Sequence, residues 1–254
     1  MQEAIFRFYE ELNDLLAPQR RRTDFRVEFN GKESVKDMIE ALGVPHTEVD
    51  LILVNGRSVD FNYFLQDKDR ISVYPLFESL NIQGLTRLRE FPLRKTRFVA
   101  DTNIGDIVKY MRVLGFDVYC DTSLSPRQVV EVSNREKRII VTKSRKLLKF
   151  KEVSHGVLIC PGTVQQQIEG IMNRLDIRDD VRPFSRCLCC NNLLIEASKK
   201  MIEERVPPKA RASCDGYSYC ESCDKVFWKG THHIKMTKVI GRILKTHNER
   251  VDNC

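Results

Sequence analysis

Apolar residues recur along this chain in short blocks, and the spacing within each block predicts its element. Ala4-Ile5-Phe6-Arg7-Phe8-Tyr9 and Phe25-Arg26-Val27-Glu28-Phe29 carry β-branched and aromatic residues with partial alternation, which predicts two strands. Asn30-Gly31 marks a turn. Ser34 stands where a cap belongs, ahead of a helix over 35–42 that Gly43 ends. Leu51-Ile52-Leu53-Val54 is a continuous apolar run, the mark of a buried strand, and Asn55-Gly56 follows as a hairpin turn. Arg70-Ile71-Ser72-Val73-Tyr74 predicts a last strand before Pro75. The order β-β-α-β-β predicts a small α/β unit over residues 1–78.

A different rhythm starts at Arg97-Phe98-Val99-Ala100-Asp101, an apolar strand ending in an acid. Ile104, Ile107, Val108, Met111 and Leu114 have helical spacing, and Gly115 closes that helix. Further strands are expected at 116–119, 138–142 and 156–159, and helices at 126–134 and 165–175. Strand-helix alternation implies a parallel sheet with helices on its faces. In such a sheet Asp101 lies at the carboxyl edge, where α/β proteins bind ligands. Between the two units, residues 79–96 read as a connector with Gly84, Pro92 and the cations Arg87, Arg89, Arg94 and Lys95, leading into Arg97. Helical spacing returns over 233–247, with Met236, Val239, Ile240, Ile243 and Leu244 on one side.

The strongest chemical signal is a pair of Cys-x-x-Cys knuckles, Cys187/Cys190 and Cys220/Cys223. Two knuckles across a short insert can set four thiolates about 2.3 Å from one zinc ion. Buried thiols or two disulfides are the plainer alternative. Cys189 and Cys214 are spare thiols, and His232 or His233 could replace a ligand. A closed four-thiolate shell leaves no position for water, so zinc here is expected to be structural.

Composition narrows the setting. The chain has 254 residues, room for two or three small domains, and 42% hydrophobic content supports packed cores. The net charge of +7 and a pI near 8.9 suit a nucleic-acid partner, although a solvated basic face would give the same figures. No stretch approaches the roughly 20 apolar residues of a membrane span. Nine cysteines without a secretory signal read as reduced thiols and metal ligands, which places the protein in the cytoplasm.

The motifs also carry a resemblance. Phe98-Val99-Ala100-Asp101, the run from Tyr110 to Asp117, Ile139-Ile140-Val141-Thr142 and Arg186-Cys187-Leu188-Cys189-Cys190-Asn191 resemble the Mut7-C family, a branch of the PIN-like nucleases. So do Cys220-Glu221-Ser222-Cys223 and Phe227-Trp228-Lys229-Gly230-Thr231-His232. The amino-terminal unit is similar to the ubiquitin-like domain that precedes bacterial members, but it lacks the Gly-Gly tail of sulfur carriers. The resemblance implies a ubiquitin-like β-grasp unit (1–78), a basic linker (79–96), a PIN-like parallel sheet with flanking helices (97–182), and a four-cysteine zinc ribbon with a terminal helix (183–254).

PIN-like nucleases use three or four carboxylates to hold Mg²⁺ or Mn²⁺, which activates water at an RNA phosphodiester. The first family acid maps onto Asp101. Where the family reads Thr-Arg-Asp, this chain reads Thr142-Lys143-Ser144, and Pro126 and Arg127 stand where acids precede the second helix. Asp106, Asp121 and Glu131 are the acids that could compensate, Glu131 by pointing inward from its helix. Asp101 has an alternative role as a cap for the helix that starts near Ile104. Arg127, Lys143, Arg145, Lys146 and Lys149, with Arg94, Lys95 and Arg97, form a candidate phosphate-binding set. Three functions follow. The leading one is an RNA-handling protein that binds RNA or ribonucleoprotein through a basic sheet edge. The others are a Mg²⁺- or Mn²⁺-dependent endoribonuclease with an altered acid set, and a non-catalytic adaptor that engages protein through the ubiquitin-like unit.

Overall fold

The computed structural model describes residues 1–75, 88, 96–214 and 216–245. Arg87, Arg89, Arg94 and Lys95 of the expected connector lie outside the described residues.

The amino-terminal unit is a β-grasp. Its strands are β1 (Gln2–Phe8), β2 (Phe25–Phe29), β3 (Val49–Val54), β4 (Arg57–Val59) and β5 (Arg70–Pro75), in the sheet order β2-β1-β5-β3-β4. β1 and β5 pair in parallel and the remaining pairs are antiparallel. Alternation along β1 buries Ala4, Phe6 and Phe8 against α1 (Val35–Ala41), which contributes Val35, Met38 and Ile39. Ser34 caps α1 as its position predicts, its Oγ accepting from Asp37 N–H at 3.1 Å. β4 is the strand that the sequence pattern omits. Three residues are too few to display a period, and only the Asn55-Gly56 turn points to it.

The middle unit is a four-stranded parallel sheet ordered β7-β6-β8-β9. Its strands are β6 (Arg97–Ala100), β7 (Asp117–Cys120), β8 (Ile139–Thr142) and β9 (Gly156–Leu158). Both faces are covered, which is why the strands read as unbroken apolar runs rather than alternating ones. On one face α2 (Gly105–Val113), α5 (Val164–Leu175) and α8 (Thr231–Lys245) enclose Phe98, Ala100, Ile139, Val141 and Val157. On the other, α3 (Pro126–Glu136) and α4 (Arg145–Leu148) pack with Val99, Ile140 and Leu158. The one-turn α4 was not legible in the basic stretch after β8.

That second core is continuous with the core of the β-grasp unit. The seam carries buried polar links. Glu48 accepts from the backbone N–H of Leu158 at 2.6 Å and from Arg174 Nη1 at 3.1 Å. His46 Nε2 lies 3.0 Å from Val153 O, and its Nδ1 lies 2.7 Å from Glu40. Arg145 donates to Gly43 O and reaches Leu15 O at 3.4 Å. The β-grasp unit therefore covers one face of the parallel sheet.

The carboxyl-terminal unit is a three-stranded antiparallel sheet of β10 (Ile195–Glu196), β11 (Tyr217–Cys220) and β12 (Lys225–Trp228). The segment between the knuckles contains β10, α6 (Lys199–Arg205) and α7 (Pro208–Ser213). Pro207 and Pro208 end one helix and begin the next, since proline lacks the N–H that a helix interior needs but a first turn does not. Gly115 sets how closely the chain returns from this unit to the sheet. It sits at φ +97°, and a Cβ there would come within 2.2 Å of Arg182 O.

Candidate metal centre and sheet edge

The four knuckle cysteines converge. Their sulfurs all lie within 4.8 Å of one another, with Cys187–Cys223 at 3.9 Å and Cys190–Cys220 at 3.4 Å. A tetrahedral Zn–S shell of about 2.3 Å radius needs sulfur separations of about 3.8 Å, so this set fits such an ion. Asn191 and Asp224, one step past each knuckle, adopt positive φ (73° and 51°), which turns the chain back over the sulfurs. Without a cation, four thiols this close share protons. Burial alone would raise Cys190, but the Asn192 backbone and the neighbouring sulfurs bring it down to about 7. The bond to Cys190 in turn pushes Cys223 up to about 12. A divalent ion removes that conflict by holding all four as thiolates. Cys189 is exposed and outside the set, and neither Cys214 nor the two histidines of α8 join it.

The ribbon is tied to the sheet through buried Arg112. This arginine donates to Val118 O at 2.8 Å, to Leu188 O at 3.0 Å and to Cys189 O at 2.8 Å, so one side chain joins β7 to the first knuckle. Asn191 adds bonds to Val118 N–H at 2.9 Å and to Asp117 at 2.8 Å. Arg138 bonds Asp117 at 2.7 Å, and Arg186 lies 3.9 Å away. Burial raises the Asp117 carboxyl, but Arg138 and Asn191 outweigh it and hold the group below its usual range. The motif residues Arg112, Asp117, Arg186 and Asn191 thus build one joint between two units. Sequence reading found these residues without finding that use, because the joint spans more than 70 positions.

The carboxyl edge of the sheet is organised differently. Asp101 follows β6, and its N–H continues the ladder to Val141 O at 3.1 Å. Its Oδ1 accepts from Thr102 N–H at 2.7 Å and its Oδ2 from the buried Thr142 hydroxyl at 2.8 Å. It does not cap α2, whose first turn is preceded by Ile104 with no side-chain cap. Asp121 follows β7 in the neighbouring register position, since Ala100 pairs with Cys120. Its carboxylate is drawn to Ser123, whose hydroxyl at 2.7 Å and N–H at 2.9 Å hold it below the usual range. Burial raises the nearby Cys120 thiol, and Asp121 and Asp101 add to the rise.

The other acids do not reach this pair. Glu131, which could compensate by pointing inward, is exposed, because Val129, Val130, Val132 and Ser133 occupy the buried face of α3. Asp106 is exposed on the first turn of α2. Ser144, in the place of the family acid, caps α4 with its Oγ accepting from Leu147 N–H at 3.3 Å. Among the described residues, the four cysteines are the one convergent group of three or more His, Cys, Asp or Glu. Mg²⁺ and Mn²⁺ demand several oxygen ligands in near-octahedral array. Among the described residues no third acid converges on Asp101 and Asp121, and both carboxylates accept hydroxyl and amide hydrogen bonds.

The candidate cations divide three ways. Arg127 at the start of α3, Lys143 after β8, and Lys146 and Lys149 around α4 are exposed near the carboxyl edge. Arg145 is committed to Gly43 O and Leu15 O of the β-grasp unit. Arg97 opens β6 and so sits at the opposite end of the sheet.

Comparison with known proteins agrees with this architecture. Residues 96–240 match the Mut7-C RNAse domain, and residues 1–81 match the Mut7-C ubiquitin domain. The chain belongs to the Mut7-C RNase family. The human protein named exonuclease mut-7 homolog is 27% identical over 122 residues, which cover 45% of this chain and 14% of that protein. The chain thus spans a small part of the length of this relative. Two crystal structures of small archaeal modifier protein 1 from Haloferax volcanii are 18% identical, covering 30% of this chain and 98% of theirs, at a TM-score of 0.25. No described helix of this Mut7-C chain is long and apolar enough to cross a membrane.

Proposed function

We propose that this Mut7-C chain binds RNA at the carboxyl edge of its parallel sheet and does not cleave it. One observation carries the reading: the two acids at that edge are engaged by Thr142, Thr102 and Ser123, and among the described residues no third carboxylate joins them. Ser144 contributes a helix cap where a family acid would stand. Arg127, Lys143, Lys146 and Lys149 supply cations for a phosphate backbone, and the helices that follow β6, β7 and β8 begin at the same edge. In this reading the ion held by Cys187, Cys190, Cys220 and Cys223 is zinc and purely structural. The β-grasp unit over 1–78 serves first as a cover for the sheet, with any protein contact made on its outer side, and the protein works in the cytoplasm.

The test is RNA binding measured across a salt series. Affinity for a mixed single-stranded RNA pool should fall steeply with salt, and Lys143→Ala should reduce the log–log slope by about 0.7, the loss of one phosphate contact. A flat salt response, or a slope that Lys143→Ala and Arg127→Ala leave unchanged, contradicts RNA binding at this edge.

A further inference from the structure

The ribbon and the start of α8 line a recess that shares no residue with the carboxyl edge of the sheet. Its volume is about 440 Å³, within the roughly 300–1,000 Å³ typical of sites for small organic groups. Phe184, Phe227, Trp228, Lys229, His232 and His233 line it. The lining combines aromatic rings with a cation. Phe184 and His233 stack at 4.0 Å between centroids and 26° between planes, so one ring platform is formed before any ligand arrives. Burial lowers the His233 pKa, with the Lys229 ammonium adding to the shift, so the ring is neutral at neutral pH and free to stack. Trp228 and Phe227 are half-buried, although the ribbon is fully folded around them.

The charges around this recess indicate its occupant. Lys229 and His232 are exposed at the rim, and α8 continues with Lys235, Lys238 and Arg242 and carries no carboxylate. Glu196 is the one acid among the described residues that line it. Aromatic faces inside a cationic rim are how sequence-tolerant single-strand binders hold bases. An apolar protein helix would fill the volume but offer nothing to the exposed Lys229 and His232 at the rim.

We propose that this recess holds an unstacked nucleobase of single-stranded RNA, with Trp228 as a stacking face and Lys229 beside the backbone. The proposal rests on the RNA reading above and adds a second contact to it. Trp228 is the chain's single tryptophan, so its emission reports on this recess alone.

The experiment titrates zinc-loaded full-length protein at low salt with single-stranded oligoadenylate and oligouridylate, and with a duplex of the same length. Single strands should quench Trp228 emission saturably, with the midpoint seen by gel retention. Trp228→Leu should weaken retention about tenfold, the loss of one stacked base, with zinc content unchanged. Retention without a change in emission, together with unaltered affinity in Trp228→Leu, overturns the base site but leaves RNA binding at the sheet edge standing. No retention of any RNA overturns both. Equal quenching by duplex overturns stacking. Quenching by an amphipathic apolar peptide, with none by RNA, assigns the recess to a protein partner instead.

Discussion

Two places in this molecule collect candidate metal ligands, and they differ in every respect that matters to an ion. At the knuckles, four sulfurs converge within 4.8 Å, and the backbone turns at Asn191 and Asp224 serve that convergence. At the sheet edge, Asp101 and Asp121 follow adjacent strands, and each carboxylate accepts from hydroxyl and amide donors of its own. A ligand pair in Cys-x-x-Cys is set by local geometry, so its purpose is written in four residues. An acid cluster at a sheet edge needs three or four strand ends to agree, so a few replacements dissolve it. The fold rests on the apolar faces and the joints, so it does not depend on an acid cluster at that edge.

The largest expected effect lies at the converged site. Cys220→Ser, or removal of the ion by a strong chelator, should unfold the ribbon, since structural zinc supplies about 10–16 kcal/mol in isolated fingers. Metal analysis should give one zinc per wild-type chain. A melting temperature unmoved by chelation would remove the metal from the account.

Next in size is the seam beneath the β-grasp unit. Glu48→Ala leaves Arg174 buried without its carboxylate, and about 3–5 kcal/mol should be lost in urea unfolding. The double variant Glu48→Ala with Arg174→Met should recover the part owed to the unpaired Arg174 charge, while the buried Leu158 N–H that Glu48 also serves stays unsatisfied in both variants. If the single variant costs no more than the double, the pair does not hold the seam.

A smaller effect is expected at the ribbon joint. Asp117→Asn should cost about 1–2 kcal/mol at pH 7. Its folded pKa lies below the ordinary 3.8, so the wild-type advantage is complete above that value and fades as pH falls through the lower folded one. Urea titrations at pH 7 and pH 3 check the sign. An advantage that grows on acidification would contradict the Asp117–Arg138 assignment.

These effects mirror what the sequence made readable. Strands, helices and the knuckles were legible because each depends on residues a few positions apart. The cap at Ser34 and the four convergent cysteines are cases in point. β4 and α4 escaped because three or four residues carry no period. The fate of the acids was only half legible. The replacement at Ser144 is visible in one position, whereas the engagement of Asp101 by Thr142 joins residues 41 apart. The exposure of Glu131 follows from which face of α3 the valines claim, and three valines clustered within about one turn, at 129, 130 and 132, leave that choice open. Arg112 and Asn191 looked like family markers. Their bonds to the knuckle and to β7 give them a structural reason to be there.

The central claim is that the sheet edge holds RNA without a working divalent-ion site. The most direct test incubates a mixed RNA pool with wild-type protein and with Asp101→Asn in Mn²⁺ or Mg²⁺, following both cleavage and retention. The account predicts no metal-dependent cleavage by either protein and salt-sensitive retention by both, with Asp101→Asn binding at least as tightly because a negative charge is lost from the edge. Metal-dependent cleavage by the wild type that disappears in Asp101→Asn would contradict it and restore Asp101, with Asp121, as ligands of a catalytic ion.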